Sequence, residues 1–207
     1  MRSSSFEIFA GWCAIVAGIF GFLYSVSFII LQPGAPEISN LLSALFLMIV
    51  GIFTTGTLTA IYARLRGRSP EFALWAYQFG MIGAFGSAIH GGYDLANAIH
   101  PSLIAVGLST ANVPLQIDPR GFLTFFASAI ALLTFSILII TSRRFPHTLG
   151  IVGIVSASTL MLLYLARLII LDPTNIIVIV LAVLSGFILQ PIWNIWLGLA
   201  LWRGAAR

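Results

Sequence analysis

The chain predicts an all-α integral membrane protein, one domain built as a bundle of six transmembrane helices, and three observations carry that prediction. Hydrophobic residues make up 59% of the 207 positions and charged residues only 8%, whereas about a quarter of a soluble domain is charged. Mean hydropathy is +1.06. The apolar residues gather in blocks of about twenty or more, the length that crosses a hydrocarbon core of about 30 Å. Six such blocks leave short connections and no room for a separate soluble domain.

The first span is expected over about residues 8–31. Its apolar run is longer than the roughly 7–15 residues of a signal-peptide core, and no small-residue cleavage site follows in "LQPGAPE", so it reads as an uncleaved helix. Cys13, the single cysteine, lies inside it and has no partner in the chain for a disulfide. The second span, about 40–63, ends in the basic run "RLRGR". The third, about 72–99, opens with "RSPEF": Ser69 as N-cap, Pro70 at the first helical position and Glu71 in the first turn. The fourth (about 121–142) and sixth (about 175–201) follow Asp118–Pro119 and Asp172–Pro173, read as the same capping device. The fifth runs over about 149–171, and the short Asp172–Pro173 turn makes it a tight hairpin with the sixth. Residues 100–120 form the one long connection, too apolar for a solvated tether. A short interfacial helix or lid over the outer mouth fits it, as does a loop lying on lipid headgroups.

All ten basic residues are arginine, and their distribution gives an orientation. Arg2, Arg64, Arg66, Arg68, Arg143, Arg144, Arg203 and Arg207 fall on one side of a six-span chain, and only Arg120 lies in a loop on the other. By the positive-inside rule both termini are cytoplasmic. The tryptophans Trp12, Trp75, Trp193, Trp196 and Trp202 fall toward that same side, as an interfacial belt would. The basicity is therefore topology, with some attraction to anionic lipid. It does not suggest nucleic acid as a partner. The expected partners are the lipid bilayer, other membrane proteins or further copies of the chain.

Polar residues inside the spans mark candidate sites. In span 3, Gly80, Ala84, Ala88, Gly92 and Ala96 recur every fourth residue, with Gly83, Ser87 and Gly91 as a second row, a pattern that lets helix backbones approach closely. Span 3 is therefore expected to be central and crowded. At about 100° per residue, His90, Asp94 and Asn97 share one stripe. Asp94 lies roughly 7 Å inside the outer edge and Arg167, one turn from the end of span 5, roughly 6 Å inside. A charge placed there costs about 2.5–3.5 kcal/mol on insertion scales. The expectation is a buried Asp94–Arg167 pair, with His90, Tyr93 or Asn97 completing its hydrogen bonds. Alternatively, Arg167 snorkels to headgroups or meets Asp172, leaving Asp94 protonated or bound to a neighbour.

No catalytic constellation is recognisable. His90 and Asp94, four apart on one helix face, lack a third ligand for a metal, since His100 lies at or beyond the helix end and His147 on the opposite side. No metal or cofactor is expected. His90 titrating against Asp94 suits a proton relay. In span 6, Gly186, Gln190, Asn194 and Gly198 form a second polar stripe, and Pro191 removes a backbone donor and kinks the helix. Gln190, Pro191 and Asn194 are thus candidates for interhelical bonding or for an inner hinge or gate.

"RRFPHTLGIVG" opening span 5, "LQPIWNIWLGLALWRG" closing the chain, and the overall span spacing resemble the small six-span bacterial membrane proteins grouped as domains of unknown function. The resemblance implies a bacterial cytoplasmic membrane and this architecture, and it brings no site residues. Two functions follow from the sequence: a non-enzymatic bundle with a structural, accessory or assembly role, or a transporter or binding protein for a proton or small solute centred on His90, Asp94 and Arg167.

Overall fold

The computed structural model describes residues 5–99, 117–142, 144–172 and 174–205. Six helices are long and apolar enough to cross a membrane: span 1 (Ser5–Leu31), span 2 (Pro36–Leu65), span 3 (Pro70–Ile99), span 4 (Pro119–Ser142), span 5 (His147–Ile169) and span 6 (Ile176–Arg203). No strand occurs among the described residues. Most spans begin up to a turn earlier than the apolar pattern suggests, because their opening turns are polar: Pro36–Glu37 in span 2 and Pro70–Glu71 in span 3. The Ser69 carbonyl accepts the Ala73 N–H at 3.0 Å, so span 3 starts where "RSPEF" places it. The lid or interfacial helix expected within 100–120 falls on residues 100–116, outside the described residues.

The Asp172 cap expected for span 6 is corrected. Asn175 caps that helix, its side chain accepting the Ile177 N–H at 3.0 Å. The Asp172 carboxylate accepts the N–H and hydroxyl of Thr174 at 2.9 and 2.7 Å. Those bonds hold its pKa below the ordinary carboxylate value.

Each span packs on its neighbours in the chain, and span 6 returns to span 1, so the helices form a closed ring. Small residues set its closest contacts. A methyl group on Gly51 would strike the backbone of Ala84 and Ala88, and one on Gly91 the backbone of Ala44 and Met48, so spans 2 and 3 touch main chain to main chain. On its other side span 3 meets span 4, where Gly83 faces Ser128 and Gly86 faces Leu123. The small residues of span 3 thus serve two neighbours, the second row dividing between Gly91 toward span 2 and Gly83 toward span 4, and span 3 is crowded but stands in the ring, not at its centre. Outside the ring, Ile52, Phe72, Phe85, Ile89, Leu162 and Ile176 are exposed. An apolar surface of that extent suits acyl chains and not water.

Along the ring axis the two halves differ. Toward the end that holds Ser5 and Ala205, the centre is solid: Ile61, Leu65, Ile139, Leu149, Leu197 and Leu201 are fully buried in one cluster. Arg64 closes this end. Its guanidinium donates to Glu7 of span 1 at 2.9 and 3.1 Å and to the carbonyls of Ala200 and Leu201 in span 6 at 3.4 Å, and it lies over the Phe145 ring. The Trp202 indole N–H, donating to the Ile8 carbonyl at 3.0 Å, ties the same two spans. Toward the other end the centre is open, and three π-helical stretches stand around it: Val26–Leu31 in span 1, Phe122–Ala127 in span 4 and Leu184–Leu189 in span 6.

Candidate functional site

All three π-helical stretches contribute residues to the open half. A π turn fits one extra residue, widens the helix, and is rare but frequent at functional sites. In span 6 it ends just before Pro191, whose ring cannot donate to the carbonyl four residues earlier and crowds it. The irregularity expected from Pro191 is thus present, as a widened turn. Each stretch places residues on the ring axis: Phe28 and Ile29, Thr124 and Phe125, Ser185 and Gly186.

These residues line a cavity of about 670 Å³ to which all six spans contribute. That volume lies within the roughly 300–1,000 Å³ of small-molecule sites. The wall is mostly apolar, from Leu47, Val50, Leu132, Leu160 and Leu163. Gln32, Pro33 and Thr174, all exposed, mark where it reaches the surface, at the turns between spans 1 and 2 and between spans 5 and 6. At the deep end stand Gln190, Pro191, Trp193 and Asn194. Gln190 donates to the Ser156 hydroxyl of span 5 at 2.9 Å, and the Asn194 amide turns back to the Gln190 carbonyl at 2.9 Å. Gln190 therefore makes the interhelical bond its sequence position suggested while also facing the cavity.

Arg167 is the one charged side chain among the described lining residues. It is half-buried, lies over the Phe125 ring at 5.2 Å, and makes no hydrogen bond or ion pair among the described residues. The glycine at 121 gives it room, since a methyl group there would stand 3.3 Å from the Arg167 Nη1.

The expected Asp94–Arg167 pair is not formed. Span 4 stands between spans 3 and 5 in the ring, so a shared depth does not bring the two heads together. Asp94 finds its partner one turn back on its own helix: His90 Nε2 lies 3.1 Å from its carboxylate. The other ring nitrogen, His90 Nδ1, lies 3.2 Å from Asp118. A carboxylate only accepts, so both contacts are satisfied by an imidazolium between two carboxylates, or by a neutral ring with one carboxyl protonated. Either way the three groups carry one net negative charge. Neither His90 nor Asp94 lines the cavity, and Tyr93 and Asn97, both exposed, do not line it either. The three acidic and imidazole groups do not converge on a point, because the ring separates the carboxylates.

Asp118, read from the sequence only as the cap of span 4, is a site residue that the polar stripes did not reveal. It is only 1% exposed. Arg120 (φ 57°) and Gly121 (φ 86°) both adopt left-handed backbone, which bends the chain so that the Asp118 carboxylate meets the start of span 4. It accepts the Leu123 N–H at 2.7 Å, the Thr124 N–H at 3.2 Å and the Thr124 hydroxyl at 2.6 Å. Burial works to raise its pKa, but the hydrogen bonds from His90, from Thr124 and from the two backbone N–H groups prevail and hold it below the ordinary carboxylate value. The carboxylate thus fastens span 3 to the first turn of span 4, and through Thr124 it fixes one wall of the cavity. Its only sequence signal is "DPRGFLT", an aspartate ahead of a glycine that the turn needs.

No family model matches the chain, and no curated protein or solved structure is significantly similar to it.

Proposed function

We propose that this chain is a membrane protein that receives a small, largely apolar solute in its central cavity, as a binding or transport protein and not as a catalyst. The observation that carries this is the cavity itself: all six spans contribute to it, its wall is apolar, and a few polar groups converge on its two ends, the usual composition of a ligand site. The site differs from the one expected on sequence. Arg167, Gln190 and Asn194 face the cavity, while His90 and Asp94 brace its outer wall from behind through Asp118. An accessory role resting on small-residue faces is less well supported, because Gly51, Gly83, Gly86 and Gly91 are occupied within the ring. We further propose that both termini lie inside, on the strength of the arginine distribution, and, from the sequence resemblance, that the membrane is a bacterial cytoplasmic one.

Cavity filling tests the proposal. Gly21 lines the cavity, and a methyl group on it would meet nothing nearer than Val50 Cγ2 at 4.0 Å. Gly21→Leu should leave the fold intact and occupy the site. With protein in lipid nanodiscs, a brominated long-chain alcohol should quench Trp193 at the cavity's deep end, read as the difference from Trp193→Phe. Gly21→Leu should abolish that difference. Equal quenching in the filled variant sinks the proposal.

A further inference from the structure

We infer that the cavity is built for a single-chain amphipathic anion, its carboxylate or phosphate head at Arg167 and its chain running down toward Trp193. The inference rests on the cavity being a binding site and adds the chemistry of the ligand. Three features on the wall carry it. Arg167 is the lone cation among the described lining residues, and its guanidinium has a ring beneath it but no carboxylate beside it. A guanidinium set against an aromatic ring, with no acceptor bonded to it, keeps its N–H groups free to bind two oxygens of a carboxylate or phosphate.

The position of that cation is the second feature. Arg167 lies in the last turn of span 5, on the side where exposed Gln32, Pro33 and Thr174 mark the cavity's surface. A head bound there stays near the membrane interface while its chain enters the apolar interior, the order in which a bilayer itself arranges an amphiphile. Tyr24, also on the wall, carries a hydroxyl toward the same end. The third feature is what lies below: Val178 and Ala182 of span 6, Leu132 and Phe135 of span 4 and Leu160 of span 5 form an apolar stem. Uncharged Gln190 and Asn194 stand only at its foot.

Electrostatics point the same way. The carboxylates of Asp94 and Asp118 both lie against His90, at 3.1 and 3.2 Å, and neither is paired with Arg167. An arginine paired with a carboxylate would already be neutralised. Here the negative group is kept behind span 4's first turn, bonded to His90, Leu123 and Thr124, so the guanidinium's hydrogen-bonding edge is left for a ligand.

The test compares heads on one tail. Nanodisc-embedded protein is titrated with a fatty acid brominated near its chain end, with its methyl ester, and with a brominated lysophosphatidic acid. Trp193 quenching is again read against Trp193→Phe. Both anions should bind at least tenfold more tightly than the ester, and Arg167→Gln should weaken the anions by about tenfold to a hundredfold while leaving the ester unchanged. Arg167→Lys should retain part of the preference. Adding the anions to the aqueous phase or preloading them in the disc separates entry from solution and entry from the bilayer. Ester and acid binding equally in the wild-type protein would overturn the head-group inference while leaving the cavity proposal standing, and that comparison needs no variant to fold. No quenching by any of the three would remove both.

Discussion

Replacing Asp118 with alanine should destabilise the protein more than replacing Asp94, the reverse of what sequence position suggests. Asp118 is 1% exposed and accepts from two backbone N–H groups, a hydroxyl and an imidazole. The Thr124 hydroxyl can turn to a carbonyl in its own helix, and His90 keeps Asp94, so the loss falls mainly on the N–H groups of Leu123 and Thr124. Each buried donor left unmade costs about 1–3 kcal/mol. The two donors together cost about 2–6 kcal/mol and relaxing Arg120 out of its left-handed conformation returns about 1–2 kcal/mol, which leaves a net loss of about 2–3 kcal/mol at mid-range. Asp94 makes one hydrogen bond, to His90, and its side chain is 42% exposed, so Asp94→Ala should cost within about 1 kcal/mol. Unfolding in mixed micelles by titration with sodium dodecyl sulfate, followed by far-ultraviolet circular dichroism, measures both. If Asp94→Ala loses as much as Asp118→Ala, the assignment of Asp118 as the fastening group is wrong.

The same carboxylate makes stability depend on acid. Its folded pKa is depressed, so its contribution is complete above the unfolded value near about 3.9 and is lost as pH falls through the lower, folded value; unfolding midpoints below about pH 4 should fall in the wild-type protein and fall less in Asp118→Asn. Arg64→Leu should cost about 1–3 kcal/mol by removing the charged hydrogen bonds to Glu7 and to the Ala200 and Leu201 carbonyls, with Arg64→Lys recovering part of it, while Arg66→Ala and Arg68→Ala, at exposed positions, should stay within about 0.5 kcal/mol; thermal unfolding monitored by tryptophan emission tests both. Gly91→Ala should separate spans 2 and 3 and lower the yield of folded protein, because the added methyl lands on the Ala44 and Met48 backbone. Gly92→Ala, whose methyl would meet only Met48 Sδ at 3.8 Å, should be neutral or stabilising by up to about 1 kcal/mol. Similar behaviour of the two variants would contradict the packing described.

Why the spans were legible and the site was not follows from what each depends on. A helix that crosses oil must be apolar for its whole length, a local property visible in any window of the chain, so all six appear with ends off by about a turn. Which helix faces which is a property of the ring. Asp94 and Arg167 were matched by depth, and depth is readable from position along a helix, but the intervening span 4 is not. Asp118 precedes a proline at a helix start, where an aspartate is ordinarily an exposed cap; only the left-handed turn at Arg120–Gly121 buries it, and an arginine gives little warning of such backbone. Arg64 stands among three arginines that all read as topology. What separates it is that the helix continues to Leu65, so its side chain is carried round to span 6, whereas Arg66 and Arg68 lie beyond the helix end. Gln190 and Asn194 were visible because polar residues in an apolar span are rare, and the cavity was not, because no residue type encodes an open centre.

The cavity arises from side-chain size along the ring axis. Each helix is already in main-chain or small-residue contact with a neighbour, at Gly51 with Ala84 and Ala88, at Gly91 with Ala44 and Met48, at Gly83 with Ser128, at Gly150 and Gly153 with Ser136, and at Gly198 with Gly11. Helices touching at their backbones cannot move inward, so the space at the centre is whatever the inward-facing side chains leave. In the half that holds the termini those are Ile61, Leu65, Ile139, Leu149, Leu197 and Leu201, and they meet. In the other half they include Gly21, Ser25, Ser87, Ser128, Ala182 and Ser185, and they do not. Two of these, Ser25 and Ser87, return their hydroxyls to carbonyls of their own helices at 3.2 and 2.9 Å, so they present little polarity to the centre. A row of serines that would read as a hydrophilic path is therefore a nearly apolar wall, and the charge that such a wall needs for selecting a ligand is concentrated at Arg167.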